Sequence, residues 1–200
     1  MAKIEFNEEL HQYKLDGQVI PGVTGILKAT GFYNFDNIPK DNLDHARERG
    51  KVVHTMCHLH DIEDLDITTV NESLMPYLKG WIKFCKDYSI SRRDILSEML
   101  VWSSIWKFGG HLDKYVLTKD FLIDVKVTAA LDPVVALQTA GYKIALAEST
   151  GRKAKKRFGV QLLNTGDYKI AEYKVANDER TFLSALSVMR WQNLNIKGRS

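Results

Sequence analysis

The 200-residue chain is 44% hydrophobic and 26% charged, enough apolar material for one core and too much for a disordered segment. A formal charge of +3 and a pI near 8.7 fall well short of the basicity of a protein that coats DNA. Two cysteines, Cys57 and Cys85, are too few for a disulfide framework or for a four-thiolate metal or iron–sulfur site. No apolar run approaches the roughly 18 to 20 residues of a membrane span. The N-terminus "MAKIEFNEEL" lacks the basic-then-apolar layout of a signal peptide. A cytoplasmic protein without membrane contact is expected.

In chain order, "EFNEELHQYKLDGQVIPGVTGIL" holds short strand segments joined by turn residues, with Asp16-Gly17 as a tight turn, and leads into a helix at about 23 to 29. Good helix formers run from Asp41 to about Asp61, with Leu43, Ala46, Val53, Cys57 and His58 as the buried stripe. A second helix is expected from about Leu74 to Tyr88, with Pro76 in its first turn and Leu74, Leu78, Trp81, Ile82 and Cys85 at helical spacing. The aromatics Trp81, Phe84 and Tyr88 are most simply core.

The pattern then changes to a period of two. "ILSEMLVWSS", "GGHLDKYVL" and "FLIDVKV" are three successive strand candidates, the last two forming a hairpin. "DPVVALQTAGYKIALAE" follows as a helix with Pro133 in its first turn, "RFGVQLL" and "DYKIAEYKV" flank the turn "NTGD", and a helix from about Asn177 or Asp178 closes the chain. The expected class is α/β, a central mixed sheet flanked by helices. It is expected as one domain over 1–200, with an N-terminal hairpin and helical part over 1–90 and the main sheet and its helices over 91–200.

Within the second hairpin, Asp124 and Lys126 lie two apart and share one strand face, while Ile123, Val125 and Val127 take the other. If the turn is Thr118-Lys119, Asp113 falls directly opposite Asp124. Facing carboxylates destabilise a ladder unless a cation sits between them. If the turn is Lys119-Asp120, Asp113 instead faces Lys126 as an ordinary ion pair. The sequence leaves both registers open.

Asp113, then ten residues, then Asp124-Val125-Lys126 resembles the Asp…(Asp/Glu)-x-Lys signature of the PD-(D/E)XK nuclease superfamily. "GKVVH" (Gly50 to His54) and "QTAGY" (Gln138 to Tyr142) resemble the Gly-x-x-x-His and Gln-x-x-x-Tyr motifs of its RecB-like branch. "GGHLD" resembles the entry to the metal aspartate, and Glu98 in "ILSEMLV" a strand glutamate of the same branch. The opening "HQYKLDGQVIPGVTGIL" resembles the N-terminal region of small phage-type members. The motifs from "GKVVH" to "QTAGY" span residues 50 to 142.

The resemblance implies a restriction-endonuclease-like core and a metal-dependent DNA nuclease, an exonuclease acting on DNA ends or single strands in recombination, repair or replication, where it could meet a protein partner. Mg²⁺ or Mn²⁺ suits carboxylate oxygens with one imidazole tolerated. By resemblance, His54, Asp113, Asp124 and the Val125 carbonyl are the metal ligands. Lys126 orients or deprotonates the attacking water or stabilises phosphorane charge, Gln138 and Tyr142 turn toward DNA or Lys126, and Glu98 stands behind the ligands or at a second metal. Arg47 and the basic run Arg152, Lys153, Lys155, Lys156 and Arg157 are candidate phosphate contacts. Rival readings are a zinc site begun by His54 and His58 with His60 or Asp61, a non-catalytic DNA-binding accessory protein of the same fold, and an interaction module whose motif residues are plain ion pairs.

Overall fold

The computed structural model describes residues 3–33 and 39–196. Strands β1 (Ile4–Asn7), β2 (Gln12–Leu15) and β3 (Gln18–Ile20) form a small antiparallel sheet, followed by helix α1 (Val23–Ala29). Asp16 and Gly17 take left-handed backbone in the tight turn between β2 and β3, as that turn requires. Helices α2 (Lys40–Asp61) and α3 (Met75–Asp87) come next, then strands β4 (Ile95–Ser103), β5 (Phe108–Val116) and β6 (Phe121–Lys126). Helix α4 (Val135–Thr150), strands β7 (Lys156–Leu162) and β8 (Tyr168–Glu172) and helix α5 (Asp178–Asn195) complete the chain.

The main sheet has the order β4-β5-β6-β7-β8 and is antiparallel except for the β6–β7 pair. Helix α4 is the crossover that a parallel pair needs. One face packs on α1, α4 and α5 through Val101, Leu112, Tyr115, Leu122, Leu146 and Phe182. The other packs on α2 and α3 through Val53, Trp81, Phe84, Ile123, Val125 and Phe158. The mixed α/β architecture matches the sequence expectation. Details differ: Pro133 precedes α4, where Asp132 accepts the Val134 N–H at 2.9 Å. Ile82 is exposed, and Phe84 joins Leu78, Trp81 and Cys85 in the buried stripe of α3. Trp81 stacks on Phe84 at 5.6 Å, so these rings are core as expected.

The small sheet shares the second face with α2 and α3, packing Tyr13, Leu15 and Ile20 against Leu100 and Trp102 of β4. Gly109 N–H donates to the Pro21 carbonyl at 3.0 Å, and Tyr13 Oη lies 3.2 Å from His111 Nδ1. The boundary between the small sheet and α2 falls at Glu98 and Asp113, and it determines where the site forms.

Candidate metal centre and active site

Side chains alternate along a strand, yet β4 and β5 break that alternation. Ile95 and Ser97 face α2 and α3, Ile95 in that core and Ser97 through the Lys114 ammonium that Asp61 holds, whereas two and four residues beyond Ser97, Met99 and Val101 pack on the opposite layer. The change occurs at Glu98, which holds φ at +54°, a conformation seldom adopted by a non-glycine residue within a strand. On β5 the switch is mirrored: Gly109 and His111 face the small sheet, while Lys114 and Val116 face α2 and α3. Asp113 stands at that switch. The ladder pairs Ser97 with Lys114 and Met99 with Leu112, but omits the intervening Glu98 and Asp113.

The hairpin register is equally decisive. Lys114 pairs with Ile123, Tyr115 with Leu122 and Val116 with Phe121, so Thr118 and Lys119 centre the turn. Continued by one position, that register sets Asp113 against Asp124, the arrangement that an inert hairpin disfavours. Formal pairing stops there, and the Val125 N–H donates instead to Asp113 Oδ2 at 2.7 Å. Glu98, Asp113 and Asp124 therefore form one row of carboxylates across three neighbouring strands.

His54 enters this row from α2, its Nδ1 3.6 Å from Asp113 Oδ2. One ligand atom each from His54, Glu98 and Asp113 lie within 4.8 Å of one another. Asp124 lies beside that triad, fully buried, with Oδ2 2.6 Å from Lys126 Nζ. Glu98, expected behind the ligands or at a second metal, thus brings a carboxylate oxygen into the same group of ligand atoms as His54 and Asp113. Among the described residues nothing donates a hydrogen bond to the buried Glu98 Oε1 and Asp124 Oδ1, a costly state for a carboxylate oxygen. Burial and the Asp113 charge push the Glu98 carboxyl up to about 7. Burial also raises Asp124 above the usual carboxylate range, with Lys126 opposing and Asp113 reinforcing the shift. Burial holds His54 below its ordinary value despite Asp113, leaving a neutral imidazole. Orphaned hard oxygens beside a neutral imidazole fit Mg²⁺ or Mn²⁺. The Val125 carbonyl is adjacent, since the His54 ring is within hydrogen-bonding reach of the Val125 backbone.

Burial disfavours the Lys126 ammonium, but Asp124 and Asp113 more than offset it and keep the group protonated. Gln138 and Tyr142 share a face of α4, both buried, with Gln138 Nε2 3.3 Å from Tyr142 Oη. Burial, then Asp113 and Asp124, raises the Tyr142 phenol, which places it against the carboxylate row. Gly110 makes room for it, because a Cβ there would lie 2.7 Å from the Tyr142 ring.

Arg47 is exposed and pairs with Asp44 at 3.3 Å. Lys156 pairs with Phe121, three residues before Asp124 and five before Lys126, so the basic run sits about 10 Å or more from the site along β6. Lys155 pairs with Asp120 at 2.7 Å and Lys156 lies 3.6 Å from Glu172; Arg152 and Lys153 are exposed. Arg157 corrects the expectation for the run: it is buried and holds Asp178 at 2.6 Å and the Ala136 carbonyl at 2.7 Å, tying α4 to α5. The zinc reading loses Asp61 to Lys114 at 2.7 Å and to the Trp81 N–H at 2.8 Å.

Two further hydroxyls face the site. Tyr33 donates to Gln138 Oε1 at 2.7 Å. Tyr173 Oη would lie 2.7 Å from a Cβ at Gly159, the residue paired with Asp124. Charges on Asp124 and Lys126 act on both phenols. The aromatic stretch "GFYNF" marks Tyr33 only weakly, and nothing in the sequence singles out Tyr173.

Comparison of the sequence with protein-family models and with curated proteins gives no match. Among solved structures, the chain is similar to a candidate exonuclease from Eubacterium rectale, with a TM-score of 0.52 and 14% identity over 91% of this chain and 76% of that one. The two share a fold. An alkaline exonuclease from Laribacter hongkongensis aligns over 90% of this chain and 94% of its own length at 10% identity, but at a TM-score of 0.38 it carries no argument.

Proposed function

We propose that the chain is a metal-dependent DNA nuclease of the RecB-like PD-(D/E)XK type, acting as an exonuclease on ends or single strands in recombination, repair or replication. The row of Glu98, Asp113 and Asp124, closed by His54 and Lys126, carries this reading. An inert sheet gains nothing from three carboxylates in register with two orphaned oxygens. Shared fold with the candidate exonuclease supports it.

Glu98, Asp113, Asp124, His54 and the Val125 carbonyl would hold Mg²⁺ or Mn²⁺. Bound there, the ion supplies polarisation of the phosphoryl group and a more acidic water. The neutral His54 offers its lone pair without first losing a proton. Lys126, held protonated, donates to the attacking water or to the phosphoryl oxygens as negative charge grows on them. Asp124 fixes the ammonium for that task. Tyr33, Gln138 and Tyr142 form a hydrogen-bonded wall that orients substrate beside Lys126.

The test is degradation of end-labelled DNA by purified protein with Mg²⁺ or Mn²⁺. Wild type is expected to release labelled nucleotides, and Asp124→Ala and Lys126→Ala to lose this by at least about a hundredfold. Continued degradation by Asp124→Ala would overturn the assignment. Binding of DNA by wild type without cleavage in either metal would favour the accessory-protein reading.

A further inference from the structure

Immediately beyond Lys126, the chain leaves the sheet through Val127, Thr128 and Ala129, and these residues line a cavity of about 300 Å³ with Arg49, Tyr77, Gln161 and Asn164. Among the described residues, no acidic side chain lines it. Its floor is fixed, because the buried Gln161 donates from Nε2 to the Thr128 carbonyl at 2.6 Å and the Thr128 hydroxyl donates to the Ala130 carbonyl at 2.7 Å. Gln161 is also the ladder partner of Lys126, which joins this cavity to the catalytic strand.

Arg49 is the cation of this cavity. It is exposed on α2 and, among the described residues, has no ion-pair partner. It precedes His54 by five residues, about 7.5 Å along the axis of α2. The other cationic surface is differently disposed: Lys155, Lys156 and Lys143 each lie near a carboxylate, and Arg157 is buried. A guanidinium over a rigid polar floor recognises a phosphate through paired N–H donors.

We infer that Arg49, with Asn164 beside it and the floor fixed by Thr128 and Gln161 beneath, forms a binding subsite for a backbone phosphate adjacent to the one being cut. The inference rests on the nuclease reading and assigns to Arg49 the phosphate role that the sequence suggested for Arg47. The contact is to backbone, so it strengthens binding without reading sequence. It also gives the strand a path, from the carboxylate row past Lys126 and into the cavity at the end of β6 and β7.

The experiment measures binding of a fluorescent single-stranded oligonucleotide across a salt series, with Ca²⁺ in place of the activating ion, for wild type, Arg49→Ala, Arg49→Lys and Arg92→Ala. Arg92 is exposed, lies away from the cavity and serves as a charge-loss control. Arg49→Ala is expected to bind about tenfold more weakly, on unrelated sequences alike, with a salt slope lower by about one. Arg49→Lys should recover the slope but only part of the affinity. Mn²⁺ affinity, measured without DNA, should match wild type, which separates this role from ligation. If Arg49→Ala and Arg92→Ala give the same affinity and slope while wild type binds DNA, the subsite is wrong and the nuclease reading stands. If wild type binds no DNA, both fall.

Discussion

Glu98 and Asp113 stand opposite each other on adjacent strands at the point where both strands exchange the faces of their side chains. The left-handed backbone at Glu98 makes this possible. Its consequence is positional. A regular ladder would send the two carboxylates into one layer, whereas the switch sets them at the seam between α2 and the small sheet, where His54 reaches Asp113.

Glu98→Gln tests whether that carboxylate serves a ligand or a fold. Its charge is repelled by Asp113 and Asp124, and the isosteric amide removes the repulsion while keeping the backbone. The metal-free variant should be more stable by about 1 kcal/mol, a rise of roughly 2 to 4 °C in melting temperature for a domain of this size. Its Mn²⁺ affinity, read by calorimetry, should fall at least tenfold. A residue of purely structural value would lose stability and leave metal affinity alone.

Metal binding should depend on pH in a stated direction. The folded-state Glu98 carboxyl titrates at about 7, above its ordinary value of 4.5, so near pH 6 the metal-free site still holds a proton that an ion must expel. Asp124 is shifted the same way, while burial shifts His54 down and so reduces its share of the proton release. Mn²⁺ affinity is therefore expected to rise from pH 6 to 7.5 and then level off, with proton release visible as a buffer-dependent binding enthalpy. The linked effect on folding has the opposite sign. A raised carboxyl favours the fold most below its unfolded value, and this contribution is lost as pH climbs through 7. Affinity that stays flat over this range would remove these carboxylates from the ligand set.

Much of this architecture is legible in the sequence because its cause is local. The strand periods, the Asp16-Gly17 turn and the long α2 follow from residue patterning. The grouping of Asp124 with Lys126 follows from a spacing of two. What escaped is set by distant packing. The register of β5 and β6 depends on where the turn settles, and the face switch at Glu98 breaks the alternation on which strand reading relies. Arg157 looked like one more surface cation until α4 and α5 closed over it. Tyr173 reaches the site only because Gly159 has no side chain.

Gly110→Ala should impair the site through Tyr142. The added methyl would lie 2.7 Å from the Tyr142 ring and 3.4 Å from Val23, and Tyr142 is held by Gln138 and packed in the core. Overpacking of this kind costs about 1 to 3 kcal/mol. Cleavage should fall by more than the fraction of unfolded protein explains, and the double variant Gly110→Ala/Tyr142→Leu should regain stability but not full activity. Wild-type cleavage by Gly110→Ala would show that the ring position does not matter.

The buried pair of Asp61 and Lys114 lies behind the carboxylate row and gives a prediction about stability. Lys114 is 1% exposed, with its ammonium 2.7 Å from Asp61 and 2.5 Å from the Ser97 hydroxyl. Asp61 also accepts the Trp81 N–H, so one carboxylate joins α2, α3 and β5. Asp61→Ala leaves a buried ammonium without its counter-ion and should cost about 3 to 5 kcal/mol in denaturant unfolding. Replacing both partners, Asp61→Leu with Lys114→Met, should recover most of that loss, because the penalty arises from the stranded charge rather than from the absence of the pair. Equal destabilisation of the single and double variants would instead assign the loss to the Trp81 hydrogen bond and its packing. Trp81→Phe made in wild type and in Asp61→Ala identifies the source: if the hydrogen bond dominates, the substitution costs less once Asp61 is gone.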